Sequence, residues 1–195
     1  MSDRISGLPF PRMLRTKQID SYSCGPAVII ALYSNFGVKA SQKGIIALLR
    51  AARKIKKYGL SLKDLARASR IVGKGAFSFW RKANGKISDL DAIVNKYKYP
   101  VAVEWQGVFY EDEDEDNGHY CIVTRVNKKA GILRLSDPYP SFAGVDREFK
   151  IKDFMKRWWD ENVVRGRTLR DERVMFLVIP KSESWPKKLG MVKAS

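Results

Sequence analysis

The sequence predicts an α+β fold, with an N-terminal helical lobe packed on a C-terminal antiparallel β-sheet. Two observations predict it. Up to residue 97 the apolar residues recur at helical spacing, punctuated by Ser caps and Gly stops. From residue 100 onward the chain breaks into short runs rich in β-branched and aromatic residues.

The first helix is CGPAVIIALYSNFG over 24–37. It is apolar all round and stops at Gly37, the pattern of a buried helix. The second, SQKGIIALLRAARK over 41–54, starts at the N-cap Ser41 and sets Ile45, Ile46, Leu48 and Leu49 near one face. The third, SLKDLARASRIVG over 61–73, has Ser61 as cap, Asp64 three residues on and Gly73 as stop. The fourth, SDLDAIVNKY over 88–97, is capped by Ser88. Strands are expected at 100–105 (PVAVEW), 119–126 (HYCIVTRV), 132–137 (ILRLSD), 147–151 (REFKI) and 174–179 (VMFLVI), with FSFW at 77–80 as a further candidate. NKKAG at 127–131 suits a hairpin loop, and DFMKRWWD at 153–160 reads as one short helix. The expected organisation is an extension over 1–13, one domain over 14–180 with two lobes around a cleft, and a loose polar tail over 181–195.

Composition narrows the class. At 195 residues, with 45% apolar and 30% charged side chains, a single core forms without staples. Two cysteines, Cys24 and Cys121, make neither a disulfide framework nor a CxxC zinc motif. The N-terminus lacks the apolar core of a signal peptide, and the longest apolar run, 27–33, is too short for a bilayer. A cytoplasmic setting, which keeps thiols reduced, fits best. Lys and Arg outnumber Asp and Glu by 37 to 21, giving a net charge of +16. Such a surface suits acidic partners. Nucleic acid is disfavoured because no aromatic-interleaved basic motif is present.

Three residues carry the chemistry. Cys24, in SYSCGPA, is followed by Gly25 and Pro26, which places it at a helix N-terminus. The dipole and unpaired N–H groups there favour an anion, and so a thiolate. His119 is the only histidine and opens a strand in NGHYCIVTRV. It is therefore the one imidazole available as a base, on a site expected to be rigid yet partly exposed. Asp137 ends the following strand in RLSDPYP. Across an antiparallel hairpin that end lies beside His119, where a carboxylate can hold the ring. Gln18, six residues before Cys24, offers an amide that could donate to an oxyanion beside the Cys24 backbone N–H. Against each stands a plainer reading: a buried cysteine, a structural histidine, an Asp-Pro turn and a surface amide. Cys24, His119, Cys121 and Asp137 lack zinc-site spacing, and no cofactor motif is present.

Gln18, SYSCGPA, GHY opening a strand and DP ending the next, in this order, resemble the bacteriocin-leader peptidases that cut after double glycine, and more broadly their stand-alone relatives of papain-like fold. The resemblance runs from about Leu14 to Pro180 and includes GLSLKDLARASRIVG and KYPVAVEW. It implies a cysteine peptidase acting on peptide or isopeptide bonds. Cys24 would be nucleophile, His119 general base and then acid, Asp137 the orienter, and Gln18 with the Cys24 N–H the oxyanion hole. Two alternatives stay open: amide or acyl transfer on the same triad, and a catalytically silent binding module for an acidic partner. Six carboxylates at 111–116 precede His119. They are expected as a solvated loop, with favouring of the imidazolium and steering of cationic peptides as the sharper possibility. Cys121, two residues after His119, faces the same side of its strand. It is expected as a buried sheet cysteine, with a disulfide to Cys24 as the alternative.

Overall fold

The computed structural model describes residues 9–50, 52–108, 118–164 and 167–194. Helix α1 (Cys24–Ser34) is buried from Gly25 to its end, as its all-round apolar sequence requires. α2 (Gln42–Leu48) starts at Ser41, whose hydroxyl accepts from the Gly44 N–H. α4 (Leu62–Val72) carries the capping box of Ser61 and Asp64.

The helix expected over 41–54 is broken. Leu49 closes α2, Arg50 takes a left-handed φ of 50°, and α3 runs Ala52–Tyr58. Leu49 and Ile55 are both buried. On one continuous helix they would point about 120° apart. The turn at Arg50 lets both reach the core.

The helix expected from Ser88 instead begins one residue earlier. α5 (Ile87–Asp91) takes Lys86 as its N-cap, and the Lys86 N–H donates to Asp89 Oδ2 at 2.9 Å. Ser88 therefore lies inside the helix. The chain then widens into a π-helical stretch, Ala92–Tyr97, that ends at Lys98 with φ 62°.

The strands are β1 (Phe77–Lys82), β2 (Val101–Gln106), β3 (Gly118–Asn127), β4 (Ile132–Ser136), β5 (Asp146–Lys150), β6 (Trp159–Val164), β7 (Arg167–Glu172), β8 (Met175–Pro180) and β9 (Val192–Ala194). Seven of them form one sheet in the order β5-β4-β3-β2-β8-β1-β9, and β6 pairs with β7 as a separate hairpin. β1 sits inside the sheet between β8 and β9, so the first half of the chain also contributes a strand. β3 and β4 meet through the 127–131 loop, with Gly131 at φ 67° and the Ala130 N–H on Asn127 Oδ1.

Two expectations fail here. The segment 153–160 is not one helix: α6 (Ile151–Arg157) ends, and β6 begins at Trp159. Between them Trp158 leaves helical geometry, is fully buried, and donates its indole N–H to the Val174 carbonyl at 3.0 Å. The tail is not loose. Trp185 stacks on Tyr97 with ring centroids 4.0 Å apart, a short 3₁₀ turn covers Trp185–Leu189, and β9 pairs with β1.

Each face of the sheet has its own core. On one, Phe79, Ala102, Tyr120, Ile122, Phe176 and Val178 meet α1–α4. On the other, Trp105, Cys121, Val123 and Met175 meet α5, the π-helical stretch, α6 and Trp158. α1 thus crosses one face with its N-terminus brought to the start of β3. Among the described residues no helix is long and apolar enough to cross a membrane.

Candidate active site

The β3–β4 register pairs Ile122 with Ser136, so Asp137 emerges next, beside the start of β3 where His119 lies. His119 Nε2 is 2.9 Å from Asp137 Oδ1. The same oxygen accepts the Tyr139 N–H at 2.9 Å, and Oδ2 accepts Arg147 Nη1 at 2.7 Å. Arg147 also donates Nη2 to the Val108 carbonyl at 2.8 Å, and its guanidinium lies 3.5 Å above the Phe142 ring. The carboxylate is therefore surrounded by donors. Sequence reasoning misses Arg147, which sits ten residues from Asp137 on β5. Only the strand pairing of β4 with β5 points to it.

Burial and partners set the charges. Burial alone would raise the Asp137 carboxyl. The hydrogen bond and charge of His119, with donors from Tyr139 and Arg147, outweigh it and hold the group at about 2. For His119 burial disfavours the imidazolium. Cys121, the Asp137 hydrogen bond and hydrogen bonding to Cys24 outweigh that and hold the ring well above its ordinary value. Burial and the Asp137 charge push the Cys121 thiol up to about 12, so it is a neutral thiol near pH 7. The Asp137 carboxylate is then the charge that supports the imidazolium there. The ring is only 5% exposed, less open than the strand-start position suggested, because β2 and the Asp137–Arg147 pair enclose it.

Two sulfurs thus flank one imidazole, and their settings differ. Cys121 is fully buried and accepts the Trp105 indole N–H at 3.3 Å. Cys24 is half-buried at the first residue of α1. Among the described residues no side chain caps that helix and no acid occupies its first turn, a setting that suits an anion at its start. Both thiols are free. The donor atoms of His119, Cys121 and Asp137 lie within 4.8 Å of one another, close enough for a metal ion. An ion there would have to displace bonds already made to Asp137.

Gly25 permits this crowding. A Cβ on it would stand 2.9 Å from Leu65 Cδ2 of α4 and 3.6 Å from Tyr120. The Tyr120 hydroxyl in turn lies 3.0 Å from the Leu60 carbonyl and 2.6 Å from Glu104 Oε1, a buried carboxylate that the sequence presents only as part of a plain strand.

The loop before α1 is fixed by Ser23, whose hydroxyl accepts the Ile19 and Asp20 N–H groups, both at 3.1 Å. Gln18 is buried there. Its backbone N–H donates to the Pro138 carbonyl, tying it to the Asp137 turn. One hydrogen of its amide goes to the Asp20 carbonyl at 2.8 Å, which leaves the second for another acceptor. The acidic run at 111–116 lies outside the described residues.

The sequence profile of the Peptidase C39 family matches residues 13–165. Among solved structures the chain is similar to the peptidase domain of Streptococcus ComA, a bi-functional ABC transporter of a quorum-sensing pathway. The identity is 22% and the TM-score 0.59, over 87% of this chain and 99% of that one. It is also similar to a double glycine motif protease from an AMS/PCAT transporter, solved with its leader peptide. There the identity is 12% and the TM-score 0.53, over 85% of this chain and 89% of that one. Both likenesses concern the papain-like fold. No curated protein matches.

Proposed function

The chain belongs to the Peptidase C39 family, and from that premise we propose that it is a cysteine peptidase in which Cys24 attacks, His119 moves the proton and Asp137 holds the ring. The observation that carries the reading is the His119 ring itself, bonded through Nε2 to Asp137 and hydrogen-bonded to Cys24 at an uncapped helix start.

With Nε2 engaged by Asp137, Nδ1 is the nitrogen left for the thiol. The Cys24 proton passes to it, leaving a thiolate beside the imidazolium that Asp137 supports, and the sulfur then bonds to the carbonyl carbon of the scissile amide. The oxyanion formed accepts the Cys24 N–H and the second Gln18 amide hydrogen. As the C–N bond breaks, His119 returns the proton to the leaving amine, and a thioester remains on Cys24. Water, deprotonated by His119, then attacks the thioester and releases an acid. Hydrolysis of peptides is favoured over transfer because the family match is to peptidases. The leader peptide named for one structural relative suggests a polypeptide substrate that binds in extended form near the cut.

The test is cleavage of a mixed peptide library by wild type, Cys24→Ser and His119→Ala, read by mass spectrometry. Each variant is expected to lose at least about a thousandfold in kcat/KM. Cleavage that survives in Cys24→Ser would remove the assignment. Products carrying an added amine in place of a free carboxylate would shift it to acyl transfer.

A further inference from the structure

The charge of this protein is segregated. Residues 21–88 carry fourteen Lys and Arg against a single acid, Asp64. Residues 89–195 carry nineteen against eighteen. Thirteen of the sixteen surplus charges therefore fall on the segment that builds α1–α4 and β1.

The structure shows where these charges stand. On α4, Lys63, Arg67 and Arg70 are all exposed, spaced four and three residues apart on one face, with exposed Lys74 just beyond the helix end. Neighbours of like charge at this spacing destabilise a helix. The one acid of the segment is Asp64, whose Oδ2 accepts the Ser61 N–H and hydroxyl at 3.0 and 2.6 Å. Lys43, Arg50, Arg53 and Lys56 extend the exposed basic surface over α2 and α3. Leu48 and Ile71, 55% and 36% exposed, add apolar contact points.

The helices that carry this surface also pack on the candidate site. The inner face of α4 packs Leu65 against Gly25, next to Cys24. At the head of α2, Gln42 accepts the Ile19 N–H at 3.1 Å and donates to the Lys17 carbonyl at 2.7 Å, either side of Gln18.

We infer that the outer faces of α2–α4 dock an acidic segment of the polypeptide substrate, next to the residues that are cut. The inference rests on the peptidase reading and adds the substrate's charge to it. A polypeptide is favoured over nucleic acid because the peptidase reading itself supplies a polypeptide substrate. It is favoured over a lipid surface because the helices that carry the patch pack against the helix that begins at Cys24.

The test measures binding apart from cleavage. Cys24→Ala protein is titrated with a fluorescein-labelled glutamate-rich peptide, its glutamine-for-glutamate twin, single-stranded DNA, and phosphatidylglycerol vesicles. A triple variant, Lys63→Glu, Arg67→Glu and Arg70→Glu, is compared with a sheet-lobe control, Lys129→Glu, Lys150→Glu and Lys152→Glu; circular dichroism checks that both fold. The expected result is about tenfold weaker binding of the acidic peptide by the α4 variant, less than about twofold change in the control, and loss of the preference at high salt. Equal loss in both triples, equal binding of the two peptides, or tighter binding of DNA or vesicles would overturn it. A wild-type protein that binds the acidic peptide yet cuts no peptide would sink the peptidase reading and leave the docking face standing.

Discussion

Arg147 donates to the oxygen of Asp137 that faces away from His119, at 2.7 Å, while the ring takes the other oxygen at 2.9 Å. One carboxylate thus links a fixed cation to a titrating one. Asp137 is buried, and Arg147 is further held by the Val108 carbonyl and by the faces of Phe142 and Phe149. Arg147→Met leaves a buried carboxylate short of its strongest donor, a change that costs about 3–5 kcal/mol. We expect a lower Tm and a kcat reduced more than KM, with Arg147→Lys recovering only part because it loses the planar stacking and the second donor. Equal Tm values for wild type and Arg147→Met would show that the pair is dispensable.

The same coupling gives a pH profile of stability. Asp137 is held at about 2, so its contribution is full above the ordinary carboxylate range and is lost as pH falls through that value. His119 is raised, so its contribution is full below the ordinary imidazole range and is lost as pH climbs through the raised value. Urea midpoints should form a plateau between these limbs. Asp137→Asn should flatten the acid limb and bring the alkaline loss closer to neutrality. Superimposable profiles for the two proteins would refute the coupling.

Two cysteines beside one imidazole make the nucleophile a question that experiment can separate. Cys121 is sealed in the sheet and held as a thiol, whereas Cys24 is half-buried. Iodoacetamide is expected to modify Cys24 alone in the folded protein, and to do so more slowly in His119→Ala. Cys121→Ala should cost about 1–2 kcal/mol of stability through the cavity it leaves, yet keep kcat/KM within about tenfold. Preferential labelling of Cys121 would reverse the assignment.

The meeting of His119 and Asp137 is readable from the sequence because strands have a strict period and the NKKAG loop fixes which strands pair. What lies beyond one hairpin is not. Arg147 reaches Asp137 only through the β4–β5 register, and its neighbours along the chain carry no motif. The break at Arg50 is hidden because a run of good helix formers continues across it; the decision belongs to Leu49 and Ile55 competing for one core. Trp158 ends α6 by needing a buried acceptor for its indole, a tertiary demand that local propensity does not record. β9 escapes notice for the same reason: its exposed residues pattern as a tail, and only the open edge of β1 makes them a strand.

Gly25 and Leu65 supply the last expectation. A Cβ added at Gly25 would stand 2.9 Å from Leu65 Cδ2, closer than side chains tolerate, and Leu65 is fully buried with little room to retreat. Gly25→Ala should therefore cost about 1–3 kcal/mol as an overpacked contact, although alanine favours helices over glycine. Shortening the partner tests the cause: Leu65→Ala alone leaves a cavity and destabilises by about 2–5 kcal/mol, but in the double variant the added methyl occupies part of that space. The two changes together should then cost less than the sum of their separate costs, by about 1 kcal/mol in a double-mutant cycle of urea denaturation. Because α4 would be pushed away from the first turn of α1, Gly25→Ala should also lower kcat while Cys24 remains in place. Strict additivity would mean that the close approach of α4 does not set the position of Cys24.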